Sequence, residues 1–141
     1  MQDNLLFMIK RIHSYCVKHG NTHMEQHDLT MAQAGFLLIL SEYDNHQVSL
    51  KEIEKRMGTS QPTIAGIACR LEEKELISSF TDENDKRIKI IKSTQKGKDK
   101  LVIIHQGLEQ VNKKLLEDFT ETEKIILTEL LLKLYTNIQN P

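Results

Sequence analysis

The feature that most constrains the fold of this chain is a pair of short segments with the apolar spacing of a helix, connected by a link that contains a glycine. Residues 50–57 and 61–74 each place apolar side chains at positions i, i+3 and i+7, the spacing of one helix face: Leu50, Ile53 and Met57, then Ile64, Ile67 and Leu71. Only Gly58, Thr59 and Ser60 lie between the two segments. A glycine readily takes the left-handed conformation that ends a helix, and so short a link forces a sharp angle. The spacing therefore predicts a helix-turn-helix.

Other helix starts are marked by a Ser or Thr three residues before a Glu or Gln, because the two side chains bond each other's free backbone N–H groups. The pairs that fit this capping box are Thr30 with Gln33, Ser49 with Glu52, and Thr120 with Glu123. With the apolar spacing, they predict six helices, at about 5–26, 31–43, 50–57, 61–74, 95–118 and 121–138. The β-rich runs 76–80 and 87–91 flank a turn at 82–85 and predict a hairpin. The expected fold is mainly α with a small β-hairpin wing, a winged helix-turn-helix.

Length and composition limit what such a chain can be. At 141 residues, with 39% hydrophobic and 28% charged residues, it suits one globular domain spanning 1–141. No apolar run is long enough to span a membrane, and the first residues lack the pattern of a signal peptide, so we expect a cytoplasmic protein with no membrane partner. The sequence shows no nucleotide-binding loop, nucleophile elbow or zinc-protease motif, so we expect neither catalysis nor a cofactor.

Charge is distributed unevenly along the chain although the formal net charge is only -1. The segment 86–100 contains seven lysine and arginine residues and a single acid, Asp99. A concentration of positive charge attracts polyanions. The sequence therefore predicts that the face carrying the hairpin binds nucleic acid.

The second helix of the predicted motif is the candidate reading element. The side chains opposite its apolar stripe, which we expect to face double-stranded DNA, are Pro62, Ala65, Gly66, Cys69 and Arg70. Ser60, Gln61 and Thr63 lie at its positive N-terminal end, where they can donate hydrogen bonds to phosphates, and Gln61 can pair with an adenine edge. The small Ala65 and Gly66 allow a close approach. The same residues also fit an ordinary solvent-facing helix surface.

The hairpin is the second candidate contact. Arg87 can enter a minor groove, where the narrow walls concentrate negative potential. Asp85 is expected to orient its guanidinium through a charge-assisted hydrogen bond, while Lys86, Lys89 and Lys92 add phosphate contacts. An exposed turn without a specific partner is the alternative.

In this order and spacing, the motifs resemble the MarR family (multiple antibiotic resistance regulators) over nearly the whole chain. The similar segments are Leu29-Thr30-x-x-Gln33, residues 48–53, Ser60-x-x-Thr63 through Arg70-Leu71-Glu72, and Asp85-x-Arg87 through Thr94-x-x-Gly97. The resemblance implies a homodimeric DNA-binding regulator, often with a small-molecule effector pocket. It assigns groove contacts to Ser60, Gln61, Thr63 and Arg87. The chain departs from the family at Glu75, where glycine is common, and at Gly66, where a larger polar residue is frequent.

Apolar side chains outside the DNA-binding lobe (about 30–94) predict dimerisation through helices at about 1–27 and 95–141. They include Leu5, Leu6, Phe7, Ile9 and Ile12 near the start, and two stripes near the end: Leu101, Ile104, Leu108, Val111 and Leu115, then Ile126, Leu127, Leu130, Leu131, Leu134 and Ile138. A two-fold dimer suits a palindromic operator with half-sites about one DNA turn apart. An intramolecular core is the alternative use of these side chains.

Three alternatives remain open at this point. Cys16, His19 and His23 recur on one helix face and could bind a metal with His105, or could be solvated side chains. Cys16 or Cys69 could sense oxidants, or both could be inert thiols. The winged helix could also be a protein-interaction module without specific DNA binding, which the basic hairpin argues against.

Overall fold

The computed structural model describes residues 4–139 and divides into two compact units. The first unit ends at Leu108 and the second begins at Glu109, a boundary that falls inside one helix. The predicted single domain and the predicted dimerisation segments extend over residues 1–3 and 140–141, which lie outside the described residues. None of the helices in the described part of the chain is long and apolar enough to cross a membrane.

The six predicted helices are confirmed, each boundary within three residues of its expected place. They are α1 (Leu5–Glu25), α2 (Met31–Ser41), α3 (Leu50–Met57), α4 (Gln61–Glu73), α5 (Gln95–Leu115) and α6 (Glu121–Gln139). A 3-10 turn at Asp44–His46 and strand β1 (Gln47–Ser49) precede α3, while β2 (Ile77–Thr81) and β3 (Lys89–Ser93) follow α4. This arrangement is the winged helix-turn-helix that the sequence predicts.

Capping explains where the helices begin and end. The boxes at Thr30 and Thr120 form completely, with each threonine and its partner bonding the other's backbone N–H. The box predicted at Ser49 forms only by half, because the Glu52 carboxylate accepts a hydrogen bond from the Tyr43 hydroxyl instead. Gly58 ends α3 with φ 64°, the left-handed conformation expected of it.

The three strands form an antiparallel sheet in the order β1-β3-β2. The hairpin's second strand starts two residues later than predicted, because residues up to Ile88 belong to the turn. There the Ile88 backbone N–H donates to the Asp85 carbonyl. Strand β1, which the sequence analysis missed, pairs Val48 with Ile91.

The core of the first unit lies between the helix-turn-helix, α2 and the sheet. Its fully buried side chains include Phe36 and Leu37 of α2, Ile53 of α3, and Ile64 and Leu71 of α4. This burial confirms the two apolar stripes of the helix-turn-helix.

One part of the predicted dimerisation stripe is an intramolecular contact instead. Leu101 and Ile104 of α5 belong to the core, where they are 7% and 0% exposed. The first turns of α5 pack against the lobe formed by residues 30–94, since this helix begins two residues after β3 ends and close to Leu76. Gly97 lies so near the Leu76 carbonyl that a side chain would collide with it.

Candidate nucleic-acid interface

The N-terminal end of α4 is open to solvent and carries polar side chains. Ser60 is the N-cap, and its Oγ accepts a hydrogen bond from the Thr63 backbone N–H at 3.4 Å. The two hydroxyl oxygens, Ser60 Oγ and Thr63 Oγ1, lie 2.8 Å apart. Gln61 and Pro62 beside them are also exposed. A helix N-terminus has a positive dipole end, so this surface suits a negatively charged partner.

The outward face of α4 matches the sequence prediction. Ala65, Gly66 and Arg70 are exposed, whereas Ile64 and Ala68 on the other side of the helix are buried. A side chain at Gly66 would meet no atom within 4 Å, so packing does not require glycine there. The small surface at Ala65 and Gly66 leaves room for a groove wall to approach the helix backbone.

Asp85 and Arg87 form a bidentate pair at the tip of the wing. Arg87 Nε and Nη2 donate to Asp85 Oδ1 and Oδ2 at 3.1 and 3.2 Å, and the Arg87 backbone N–H donates to Oδ1 at 3.0 Å. The side-chain hydrogen bonds from Arg87, followed by the backbone one, lower the pKa of Asp85 below its ordinary value. The Arg87 side chain is 91% exposed, so the guanidinium is oriented and still accessible to a partner.

A groove joins the start of α4 to the wing. Its lining residues come from the end of β1, from α3 and α4, and from the hairpin: Ser49, Leu50, Lys51, Glu54, Gln61, Arg87, Ile88 and Lys89. The structure thus brings Gln61, Arg87 and Lys89 to one surface although they are distant in sequence. Lys86 is exposed beside Arg87 at the wing tip but does not line the groove.

The groove also contains residues that the sequence analysis did not select. Lys51 adds a positive charge from α3, and Glu54 adds a negative one. The sequence signal for Lys51 was weak, because an exposed lysine in the first turn of a helix is common on any surface. Its place in the groove depends on how α3 packs against the hairpin.

The structure does not gather the candidate metal ligands. His23 Nε2 lies 3.1 Å from the Ile103 carbonyl oxygen, and the His19 ring contacts the Tyr15 ring at 4.1 Å between centroids. Within residues 4–139, no three His, Cys, Asp or Glu side chains are close enough together to hold a metal ion. Cys16 is half-buried, and exposed Cys69 has its Sγ 3.7 Å from Glu73 Oε1.

Comparison with known proteins connects this geometry to a family. Residues 29–89, from two residues before α2 to the first residue of β3, match the model of the MarR family. A Bacillus subtilis protein named uncharacterized HTH-type transcriptional regulator YybA is 25% identical over 118 residues, which are 84% of this chain and 79% of that protein.

Solved structures share the fold along almost the whole chain. The Staphylococcus aureus MepR-DNA complex superposes with a TM-score of 0.84 at 22% identity, covering 95% of this chain and 98% of that one. Bordetella bronchiseptica BpsR, whose DNA binding is regulated by 6-hydroxynicotinic acid, superposes with a TM-score of 0.81 at 21% identity, covering 96% and 95%. The matched segment holds the entire helix-turn-helix and the wing tip with Asp85 and Arg87, so the similarity to the MarR family covers the part of the chain that forms the candidate interface.

Proposed function

We propose that this protein is a transcriptional regulator that binds double-stranded DNA through the helix-turn-helix and the wing together. The observation that carries the proposal is the groove in which Gln61 of α4 lies on the same surface as Arg87 and Lys89 of the hairpin. A winged helix binds DNA by placing one helix in the major groove and the wing in the adjacent minor groove. Such a surface has to present a helix start and a wing cation on one side, as this one does.

Each part of the surface has a distinct task in the proposal. Ser60 and Thr63 bind phosphates at the N-terminus of α4, and Gln61 reads a base edge in the major groove. Pro62, Ala65 and Gly66 face the groove without large side chains, and Arg70 reaches the phosphate backbone farther along the helix. Arg87, held by Asp85, enters the minor groove.

The lysines of the wing supply affinity without sequence information. Lys86 and Lys89 are exposed on either side of Arg87. Each phosphate that a lysine neutralises releases bound counterions from the DNA, so binding weakens as salt is added. A steep salt dependence is therefore part of the proposal.

The regulator is proposed to act as a homodimer on a palindromic operator. In α6, none of the described residues is buried, and large apolar side chains such as Leu130 and Leu131 are more than half exposed. Exposed apolar surface of this extent marks an interaction face. A two-fold pair of lobes then binds two half-sites about one DNA turn apart.

We further propose that the protein is a repressor that a small-molecule effector releases from DNA. Support comes from BpsR, a similar structure whose DNA binding is regulated by 6-hydroxynicotinic acid.

The proposal is tested by fluorescence anisotropy with DNA from upstream of the protein's own gene, at two salt concentrations, against random duplex. Wild type is expected to prefer the upstream DNA and to lose affinity with salt. Arg87→Ala is expected to lose about 1–3 kcal/mol of binding free energy, the contribution of one good groove contact.

Two further variants control for charge. Arg87→Lys keeps the positive charge but loses the bidentate pairing with Asp85, so we expect an intermediate affinity. Lys18→Ala removes an exposed cation from the middle of α1, outside the proposed surface, and should leave the affinity unchanged. Complete absence of binding to any duplex at low salt would refute DNA binding and favour a protein-interaction module.

A further inference from the structure

The wing tip is closed by hydrogen bonds that centre on Asp82, a residue that does not line the groove. Asp82 Oδ1 accepts the backbone N–H of Asn84 at 2.7 Å and that of Asp85 at 3.2 Å. The Asp82 backbone N–H in turn donates to the Ile88 carbonyl at 2.9 Å, and the Ile88 N–H donates to the Asp85 carbonyl at 3.0 Å. The backbone from residue 82 to residue 88 is thus held at both ends.

These hydrogen bonds fix the part of the backbone from which the Asp85 carboxylate projects. Among the described residues, that carboxylate accepts both hydrogen bonds that the Arg87 side chain donates. Since the Arg87 side chain is 91% exposed, packing contributes little to its direction. The orientation of the guanidinium therefore depends on Asp85, and the position of Asp85 depends on the bonds to Asp82.

We infer that Asp82 is a positioning residue for DNA binding, which holds Asp85 and through it directs Arg87 toward the minor groove. The inference rests on the proposed function. An arginine that is already oriented loses less conformational entropy on binding than one on a mobile tip. Asp82 is thereby expected to raise DNA affinity although it carries a negative charge next to a polyanion.

Electrostatic repulsion alone predicts the opposite effect of Asp82 on DNA affinity. A carboxylate near phosphates repels them, so its removal should strengthen binding, most clearly at low salt. Neighbouring Glu83 offers the comparison, because it is an exposed acid of the same turn whose side chain forms none of the hydrogen bonds that close the tip.

The experiment compares Asp82→Ala, Asp82→Asn and Glu83→Ala in the anisotropy measurement at two salt concentrations. Asp82→Ala is expected to weaken binding about three- to tenfold, the range for ordering one long side chain. Asp82→Asn keeps an oxygen acceptor at Oδ1 and should bind at least as tightly as wild type, and Glu83→Ala should bind as tightly or more tightly. Wild-type or higher affinity of Asp82→Ala would overturn the inference.

A double-mutant cycle separates positioning from a general loss of structure. In an Arg87→Ala background, Asp82→Ala is expected to cause no further loss of affinity, because the side chain that Asp82 positions is gone. An equal loss with and without Arg87 would overturn the inference, since Asp82 would then act independently of Arg87.

NMR of the free protein tests the positioning step without DNA. In Asp82→Ala, the pKa of Asp85 should rise toward its ordinary value, and the Arg87 Nε–H signal should show faster motion, while the free energy of unfolding gives the cost to stability. An unchanged pKa and unchanged motion would overturn the inference. If wild type bound no DNA, the proposed function would fail, and these NMR readouts would still decide whether Asp82 directs Arg87.

Discussion

Glu75 shows how a single residue can oppose the backbone conformation that its position requires. It lies in the turn between α4 and β2 with φ 61°, a left-handed conformation that costs a residue with a side chain about 1–2 kcal/mol. The resemblance to the MarR family marks this position as one where glycine is common, and the left-handed backbone supplies the physical reason.

The substitution Glu75→Gly is therefore expected to raise the free energy of unfolding by about 1 kcal/mol, as measured by urea denaturation. Its backbone carbonyl, which accepts a hydrogen bond from Thr94 Oγ1 at 2.6 Å, is unaffected by the change. Glu73→Gly, two residues earlier at the last residue of α4, is the matched control, and it should lower stability by at most about 1 kcal/mol because the backbone there is helical. A destabilised Glu75→Gly would contradict the argument from backbone strain.

The sequence predicted site residues where a local rule applied and missed them where tertiary packing decided. The Asp85-Arg87 pair was predictable because two residues of opposite charge and close spacing can bond within one turn. Asp82 was interpreted only as part of a turn, since its bonds to Asn84 and Asp85 depend on the turn's conformation. Lys51 joins the groove only after α3 packs beside the hairpin.

At the scale of elements, the end of α4 is tied to the turn between α1 and α2 by one lysine. Lys74 Nζ donates to the Asp28 carbonyl oxygen at 2.6 Å and to Gln33 Oε1 at 2.9 Å. Gln33 is buried and completes the capping box of α2. A second lysine, Lys100 of α5, donates to the His27 carbonyl of the same turn at 2.8 Å.

Lys74→Met keeps the length of the side chain but removes its donors, leaving the Gln33 side-chain oxygen with one partner fewer. We expect the free energy of unfolding to fall by about 1–3 kcal/mol, the cost of a partly buried acceptor that loses its donor. Lys18→Met on the exposed side of α1 is the matched control and should change stability by less than about 0.5 kcal/mol. Equal stability of Lys74→Met and wild type would show that water replaces the ammonium group at no cost.

Helices were predictable to within three residues, whereas strands were predicted less accurately, for a physical reason. A helix start is set by side chains three residues apart, as at Thr30 and Thr120, so the signal is local. Strand β1 has only three residues, and its structure comes from pairing with β3, more than forty residues later. The capping interpretation of Ser49 was correct for its hydroxyl but could not reveal that Tyr43 takes up the Glu52 carboxylate.

At the scale of the whole molecule, the proposed function depends on which partner covers the exposed apolar residues of α6. Most of the stability of a helix in a protein comes from packing its apolar face against other residues. Leu130 is 53% exposed and Leu134 39%, on one face of α6, while Thr136 lies on the polar side of the helix with Glu129 and Lys133. A second copy of the chain is the partner that the proposed palindromic operator requires.

Leu130→Glu is therefore expected to shift the protein from dimer to monomer in sedimentation velocity, because it places a charge in the proposed apolar interface. Thr136→Glu adds the same charge to the polar side of α6 and should remain dimeric. The loss of dimer should also lower affinity for the full palindrome by about 10²–10⁴-fold while leaving half-site affinity unchanged, since linked lobes bind the second half-site at high effective concentration. If Leu130→Glu stayed dimeric, the interface would not include this face of α6, whereas a monomer with undiminished palindrome affinity would mean that one lobe alone accounts for binding.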